Sequence, residues 1–164
     1  MSQQLKTLYI MCGPAGGGKS TWIRSNAAPG TSAHISRDRI RFKMVKEDEY
    51  YFSREKEVYM EFTRQIFSAL CREWVDEVYA DATHLNQKSR AKVIREIDSL
   101  YGGNNYELIA VVVKPKIETC LAQNAQRTGR ECVPETVIRN MYETFEDPAL
   151  DDIRYDKIIY VEEV

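Results

Sequence analysis

The sequence predicts an α/β fold in which a five-stranded, mainly parallel sheet carries helices on both faces. Three observations predict it. Strand-like and helix-like segments alternate along the 164 residues, the arrangement that lays strands parallel and wraps them in helices. Leu108–Val113 is an almost uninterrupted apolar run, as a central strand buried on both faces requires. Gly13-Pro14-Ala15-Gly16-Gly17-Gly18-Lys19-Ser20-Thr21 fits the phosphate-loop pattern G-x-x-x-x-G-K-[ST] at every required position. An apolar strand-like run leads into it and a helix-like segment leads out, which is the context that loop needs.

The first strand is expected over about Leu5–Cys12, followed by a helix from Lys19 to about Ala27 that Pro29-Gly30 stops. A short second strand lies near Ala33–Ile35, and Asp38 to Val45 reads as helical. Val58, Phe62, Ile66, Leu70 and Trp74 recur every four residues, which predicts one long amphipathic helix from Arg54 to Trp74. Val75–Ala80 is the third strand, ending at Asp81. Gln87 to Tyr101 is a helix with Ile94 and Ile97 on one face and Gly102-Gly103 as its stop. After the Leu108–Val113 strand come a helix over Glu118–Gln126 and another with Pro134 at its first turn. Lys157–Val161 is the last strand.

The chain is 43% hydrophobic, enough for a single domain over residues 1–164 with a sizeable core. No apolar run approaches the ~20 residues that span a bilayer, and Met1 to Lys6 lacks the apolar stretch of a signal peptide. A cytoplasmic protein with no membrane partner is expected. Cys12, Cys71, Cys120 and Cys132 form no C-x-x-C pair and are expected to be buried free thiols.

Net charge is −2, but its distribution is uneven. Arg37, Arg39, Arg41, Lys43 and Lys46 fall within ten residues, while Glu143 to Glu163 is rich in carboxylates. A local basic patch suits a short anionic substrate in a cleft; a solvated helix face is the other reading.

The phosphate loop predicts nucleoside triphosphate binding. Glycines at 13, 16, 17 and 18 let backbone N–H groups close around phosphate, and the helix that follows adds its positive end. Lys19 reaches the β- and γ-phosphates, and the hydroxyl of Ser20, with Thr21 beside it, ligates Mg²⁺. The loop points to nucleotide binding; by itself it does not give the reaction.

Three further stretches fall where the strands end, the ligand edge of such sheets. Asp38 lies just past the second strand, where an acceptor-side carboxylate would act, and Arg41 stands one helical turn on. Asp38 could equally cap the short helix. Asp81 ends an apolar strand, from which a carboxylate holds Mg²⁺ through water or steers a basic side chain. Thr83 or Asn86 can cap the next helix. Arg127-Thr128-Gly129-Arg130 puts two arginines around a glycine between helices, as a small lid over residues 127–133 would require. His34 and His84, the only histidines, make a poor metal site and are expected in structural roles. Tyr50, Tyr51 and Phe52 either stack an acceptor base or pack into the core.

The chain resembles the phage-type 5′-polynucleotide kinases, within the wider group of small P-loop kinases. Four motifs carry the resemblance in order: Gly-Gly-Gly-Lys19-Ser20-Thr21-Trp22, Ser36-Arg37-Asp38-x-x-Arg41, Asp81-Ala82-Thr83-x-Leu85-Asn86, and Arg127-x-x-Arg130-x-x-Val133-Pro134. The resemblance implies transfer of the γ-phosphate of ATP to the 5′-hydroxyl of a nucleic acid. It implies Asp38 as general base and Arg41 as the group that binds the phosphate 3′ to the acceptor nucleoside. Asp81 would orient Arg41 or support the metal, and Thr83 would join the substrate side. Lys19 and Arg127, with Arg130, would clamp the ATP phosphates. His84 stands where Asn is common in the group. The 164 residues leave no room for a 3′-phosphatase domain after the fifth strand, so a separate phosphatase or ligase partner is expected. A small-molecule kinase of the same fold is the alternative reading. A nucleotide-driven switch is a third, although the sequence has no Asn-Lys-x-Asp element of the kind GTPases use.

Overall fold

A computed structural model describes residues 4–162. Met1 to Gln3 at the amino end, and Glu163 of the acidic stretch, lie outside the described residues. The chain forms β1 (Lys6–Cys12), α1 (Lys19–Asn26), β2 (Ser32–Ser36), α2 (Arg37–Met44), α3 (Glu55–Leu70), β3 (Glu77–Asp81), α4 (Gln87–Tyr101), β4 (Tyr106–Val112), α5 (Ile117–Ala125), α6 (Glu135–Glu143) and β5 (Lys157–Tyr160). Short 3₁₀ turns cover Gly129–Glu131 and Pro148–Leu150. The five strands form one sheet in the order β2-β3-β1-β4-β5, and every pairing is parallel. Parallel neighbours need crossover helices, so both faces are covered and the strands read as apolar runs.

The period of two along β1 splits the core. Leu8, Ile10 and Cys12 face Val58, Phe62 and Ile66 of α3 and Val93, Ile94 and Ile97 of α4. Met11 faces the other way, with Tyr79, Ile109, Val111 and Ile23 of α1. Tyr9 stacks on Tyr79 with ring centroids 4.4 Å apart, and Trp22 meets Tyr79 edge-on. A smaller cluster of Ala15, Cys120 and Ile138 ties α5 and α6 beneath the phosphate loop.

Two expectations are corrected. The long helix ends at Leu70 rather than Trp74. The Arg72 amide bonds Ala69 O and the Val75 amide bonds Arg72 O, turning the chain toward β3. Trp74 keeps the helical spacing yet is exposed, because the turn takes it off the buried face. Of the four thiols, Cys12 and Cys120 are buried but Cys71 and Cys132 are exposed, and no disulfide forms among the described residues. Among the described residues no helix is long and apolar enough to cross a membrane.

Register brings the motifs together. Ser36 pairs with Asp81, so the end of β2 lies beside the end of β3. The Gly13 amide donates to Thr83 O at 2.9 Å, and the Val113 amide to Cys12 O at 2.8 Å. The phosphate loop is therefore stitched to the ends of both neighbouring strands.

Candidate active site

The turn from β1 into α1 is built from glycine for steric reasons. Gly16 has φ +78°, and a Cβ there would stand 2.6 Å from Cys120 O. Gly18, at φ +95°, is the N-cap of α1 without a side-chain bond, so the first N–H groups of the helix stay directed into the cleft. Lys19 is buried, and its ammonium donates to Gly13 O at 3.0 Å and Pro14 O at 2.9 Å. Burial lowers its pKa, while the nearby charges of Asp81 and Asp38 work to raise it.

Ser20 Oγ donates to Asp81 Oδ2 at 2.7 Å, and His34 Nε2 donates to the same oxygen at 2.8 Å. Asp81 is nearly buried. Burial alone would raise its pKa, but the His34 and Ser20 hydrogen bonds and the Lys19 charge outweigh it and hold the carboxyl low. An ionised carboxylate and a hydroxyl on adjacent strand and helix ends fit Mg²⁺, which takes one or two protein oxygens and completes its shell with phosphate and water.

Asp38 and Arg41 share one turn of α2. Ser36 caps that helix, its Oγ accepting from the Arg39 amide at 3.2 Å. Asp38 therefore does not cap; its side chain is 71% exposed and accepts from Arg41 Nη1 at 2.6 Å. Arg41 is buried and held on its other edge by Glu55, with Nε to Oε1 at 2.6 Å and Nη2 to Oε2 at 2.9 Å. Burial would lower the Arg41 pKa, yet the Glu55 hydrogen bonds and charge raise it. Arg37 donates to the same carboxylate at 3.2 Å. The expectation that Asp81 orients Arg41 is thus replaced: Glu55, at the start of α3, does so, while Asp81 is engaged by Ser20 and His34. The Arg41 guanidinium also lies 5.4 Å from the Tyr51 ring and 5.0 Å from Phe52. Tyr50 and Phe52 are exposed and so are not core residues.

These groups line one cleft of about 850 Å³ with Arg24, Thr83, Arg127, Arg130 and Phe42. Seven Lys and Arg side chains line it against four carboxylates, so it is positive on a chain of net charge −2. Arg127 lies near enough to Lys19 that its charge works to lower the lysine's pKa. Arg130 departs from the expected phosphate clamp. It donates to Val45 O at 2.8 Å and Lys46 O at 3.1 Å, at the end of α2. Asn124 closes the base of the intervening segment: Nδ2 donates to Val133 O at 2.6 Å, and Oδ1 accepts the Val133 amide at 3.0 Å.

His84 stands outside the cleft wall. Its Nδ1 donates to Met11 O at 2.6 Å, and its carbonyl accepts from Arg90 at 2.7 Å. Asn86 caps α4 through the Ser89 amide. The Pro148–Tyr155 stretch supplies Asp151 to a fully buried ion pair with Arg90. Glu55 and Asn124 are the site residues that sequence reasoning missed. Neither belongs to a motif; each is recognised only by the partner that folding brings to it.

The profile of the family described as AAA domain matches residues 8–148. The L-seryl-tRNA(Sec) kinase of Methanococcus maripaludis is 27% identical over 148 residues, covering 87% of this chain and 53% of that protein. The chain thus spans about half the length of that curated relative. Among solved structures, a fungal RNA kinase superposes with a TM-score of 0.70 at 15% identity, covering 98% of this chain and 39% of the other. A gluconokinase from Sinorhizobium meliloti 1021 superposes with a TM-score of 0.59 at 18% identity, covering 97% and 83%. At such identities the superpositions speak for a shared P-loop kinase-like fold. The profile match extends from β1 through the phosphate loop and the ends of β2 and β3 into the 3₁₀ turn after α6, and on that span the chain belongs to the AAA-domain family.

Proposed function

We propose that the protein is an ATP-dependent kinase that transfers the γ-phosphoryl group to the 5′-hydroxyl of a nucleic acid, as its resemblance to the phage-type polynucleotide kinases implies. The observation that carries the reading is the Asp38–Arg41 pair, 2.6 Å apart on the mouth of the phosphate-loop cleft. A carboxylate 71% exposed is available to an acceptor hydroxyl, and a buried guanidinium beside it suits an anionic group on the same acceptor.

Asp38 accepts the proton of the attacking hydroxyl. The new O–P bond forms at the γ-phosphorus, the bond to the β–γ bridging oxygen breaks, and ADP leaves with that electron pair. Lys19 and Arg127 offset charge on the transferring group, and the loop amides hold it in place. Ser20, with Asp81 behind it, would hold Mg²⁺, which would supply Lewis-acid neutralisation of the phosphates. Residues 127–133 act as a lid over this single domain, and the exposed Tyr50 and Phe52, with half-buried Tyr51 between them, offer rings to an acceptor base.

One observation favours a second reading. Nε, Nη1 and Nη2 of Arg41 are already bonded to Glu55 and Asp38. A neutral polyol or nucleoside acceptor would leave those bonds intact.

The test is transfer of labelled phosphate from ATP and Mg²⁺ to 5′-hydroxyl DNA and RNA oligomers, a sugar and a free nucleoside, with Asp38→Asn as control. Labelled oligomers from the wild type alone support the reading. Labelling of the sugar or nucleoside in preference to oligomers supports the second one.

A further inference from the structure

Arg130 is the lid residue farthest from the role its motif implies. Its guanidinium sits on the last turn of α2, donating to Val45 O and Lys46 O, with Phe42 O at 3.5 Å. Phe42 O and the C-cap Val45 O lie at the negative end of the α2 dipole, where a cation is favoured, and Lys46 O just beyond it also accepts the Glu49 amide. The same guanidinium lies 4.8 Å from the Phe42 ring and 5.4 Å from the Tyr51 ring. Tyr51 in turn lies 5.4 Å from Arg41. One arginine therefore joins the lid to the helix that carries Asp38 and Arg41, and to a ring that touches Arg41.

The lid has two tethers of different kinds. Asn124, buried, closes its base through paired bonds to Val133. Arg130 fastens its tip across the cleft, 85 residues away in sequence from Val45. Gly129 at φ +62°, with open space around it, lets the backbone turn so that the next side chain can reach over.

We infer that Arg130 is a positioning residue that latches the lid to the acceptor side of the cleft, coupling lid closure to acceptor capture rather than to ATP binding. The inference rests on the kinase reading above, with Asp38 and Arg41 facing the acceptor. Opening the latch frees the lid tip and releases Tyr51 and the end of α2. Acceptor affinity then falls while the phosphate loop and Lys19 keep ATP.

The experiment compares the wild type with Arg130→Ala, Arg130→Lys and Phe42→Ala, using the whole chain. Two readouts are taken: backbone hydrogen exchange of the 126–134 segment, and steady-state KM for ATP and for whichever acceptor the transfer panel identifies. The latch predicts about tenfold faster exchange in Arg130→Ala, as lost tip protection. It also predicts acceptor KM up by about tenfold, with ATP KM within about twofold. Arg130→Lys restores part of both, and Phe42→Ala, at an exposed position, moves exchange in the same direction. Unchanged exchange in Arg130→Ala overturns the inference, as does a rise confined to ATP KM, the signature of a phosphate clamp. The exchange readout needs no acceptor, so the latch stands or falls separately from the choice of a nucleic acid as substrate.

Discussion

His84 is held neutral inside the fold, and that makes stability depend on pH in a window that can be stated. It is buried, its Nδ1 donates to Met11 O, and Nε2 has no partner among the described residues. Burial, with the charges of Arg37 and Arg90 adding to it, pushes its pKa from the ordinary 6.5 down to about 4. As pH falls through 6.5 the unfolded chain takes up a proton that the folded chain refuses until about pH 4. Folding stability is therefore lost across that interval, at up to about 1.4 kcal/mol per pH unit, or about 3 kcal/mol in all. Carboxylates titrate nearby, so the measurement is the difference between wild type and His84→Asn in urea unfolding. Asn tolerates the positive φ of 40° found here and cannot titrate. At about pH 7.5 the wild type is the more stable. The gap closes by roughly 2–3 kcal/mol by about pH 4.5. A gap constant to within about 0.5 kcal/mol across that range would refute the reasoning.

Asp151→Ala strips the partner from Arg90, both of them essentially without solvent exposure. Removing one member of such a pair costs about 3–5 kcal/mol, read as a fall in the urea midpoint. Gly16→Ala forces a Cβ against Cys120 O at a left-handed φ. Thermal unfolding should show a loss of at least about 1–2 kcal/mol, and an ATP titration should show weaker binding. Glu55→Ala leaves Arg41 to Asp38 alone. The acceptor kcat/KM should drop by about tenfold or more, with ATP affinity unchanged; equal losses for both substrates would place Glu55 elsewhere in the cycle.

Much of this was legible in residue order. Alternating apolar runs and turn signals located all five strands, most plainly β1, β3 and β4, where burial leaves little choice of composition. The phosphate loop was legible because its glycines answer to steric demands that no other residue meets. The end of α3 was not legible: Trp74 continues the four-residue spacing, and only the need to turn into β3 at Glu77 breaks the helix before it. Nor were the pairings of the site. Glu55 lies 14 residues from Arg41 and Asn124 lies 9 from Val133, distances at which spacing carries no information about partners. Arg130 shows the same limit from the other side, since a motif proposes a ligand for an arginine while the folded chain offers it the carbonyls just past the end of α2.

The central claim is that Arg41 reads an anionic group on the acceptor while Asp38 takes its proton. The most direct measurement is the ratio of kcat/KM for a 3′-phosphorylated nucleoside over the plain nucleoside, in wild type and in Arg41→Ala. A charge-assisted contact of about 1.5–3 kcal/mol predicts a ratio of roughly 10–100 in the wild type, collapsing toward about 1 in the variant. A ratio near 1 in the wild type, or one that survives Arg41→Ala unchanged, would contradict the account.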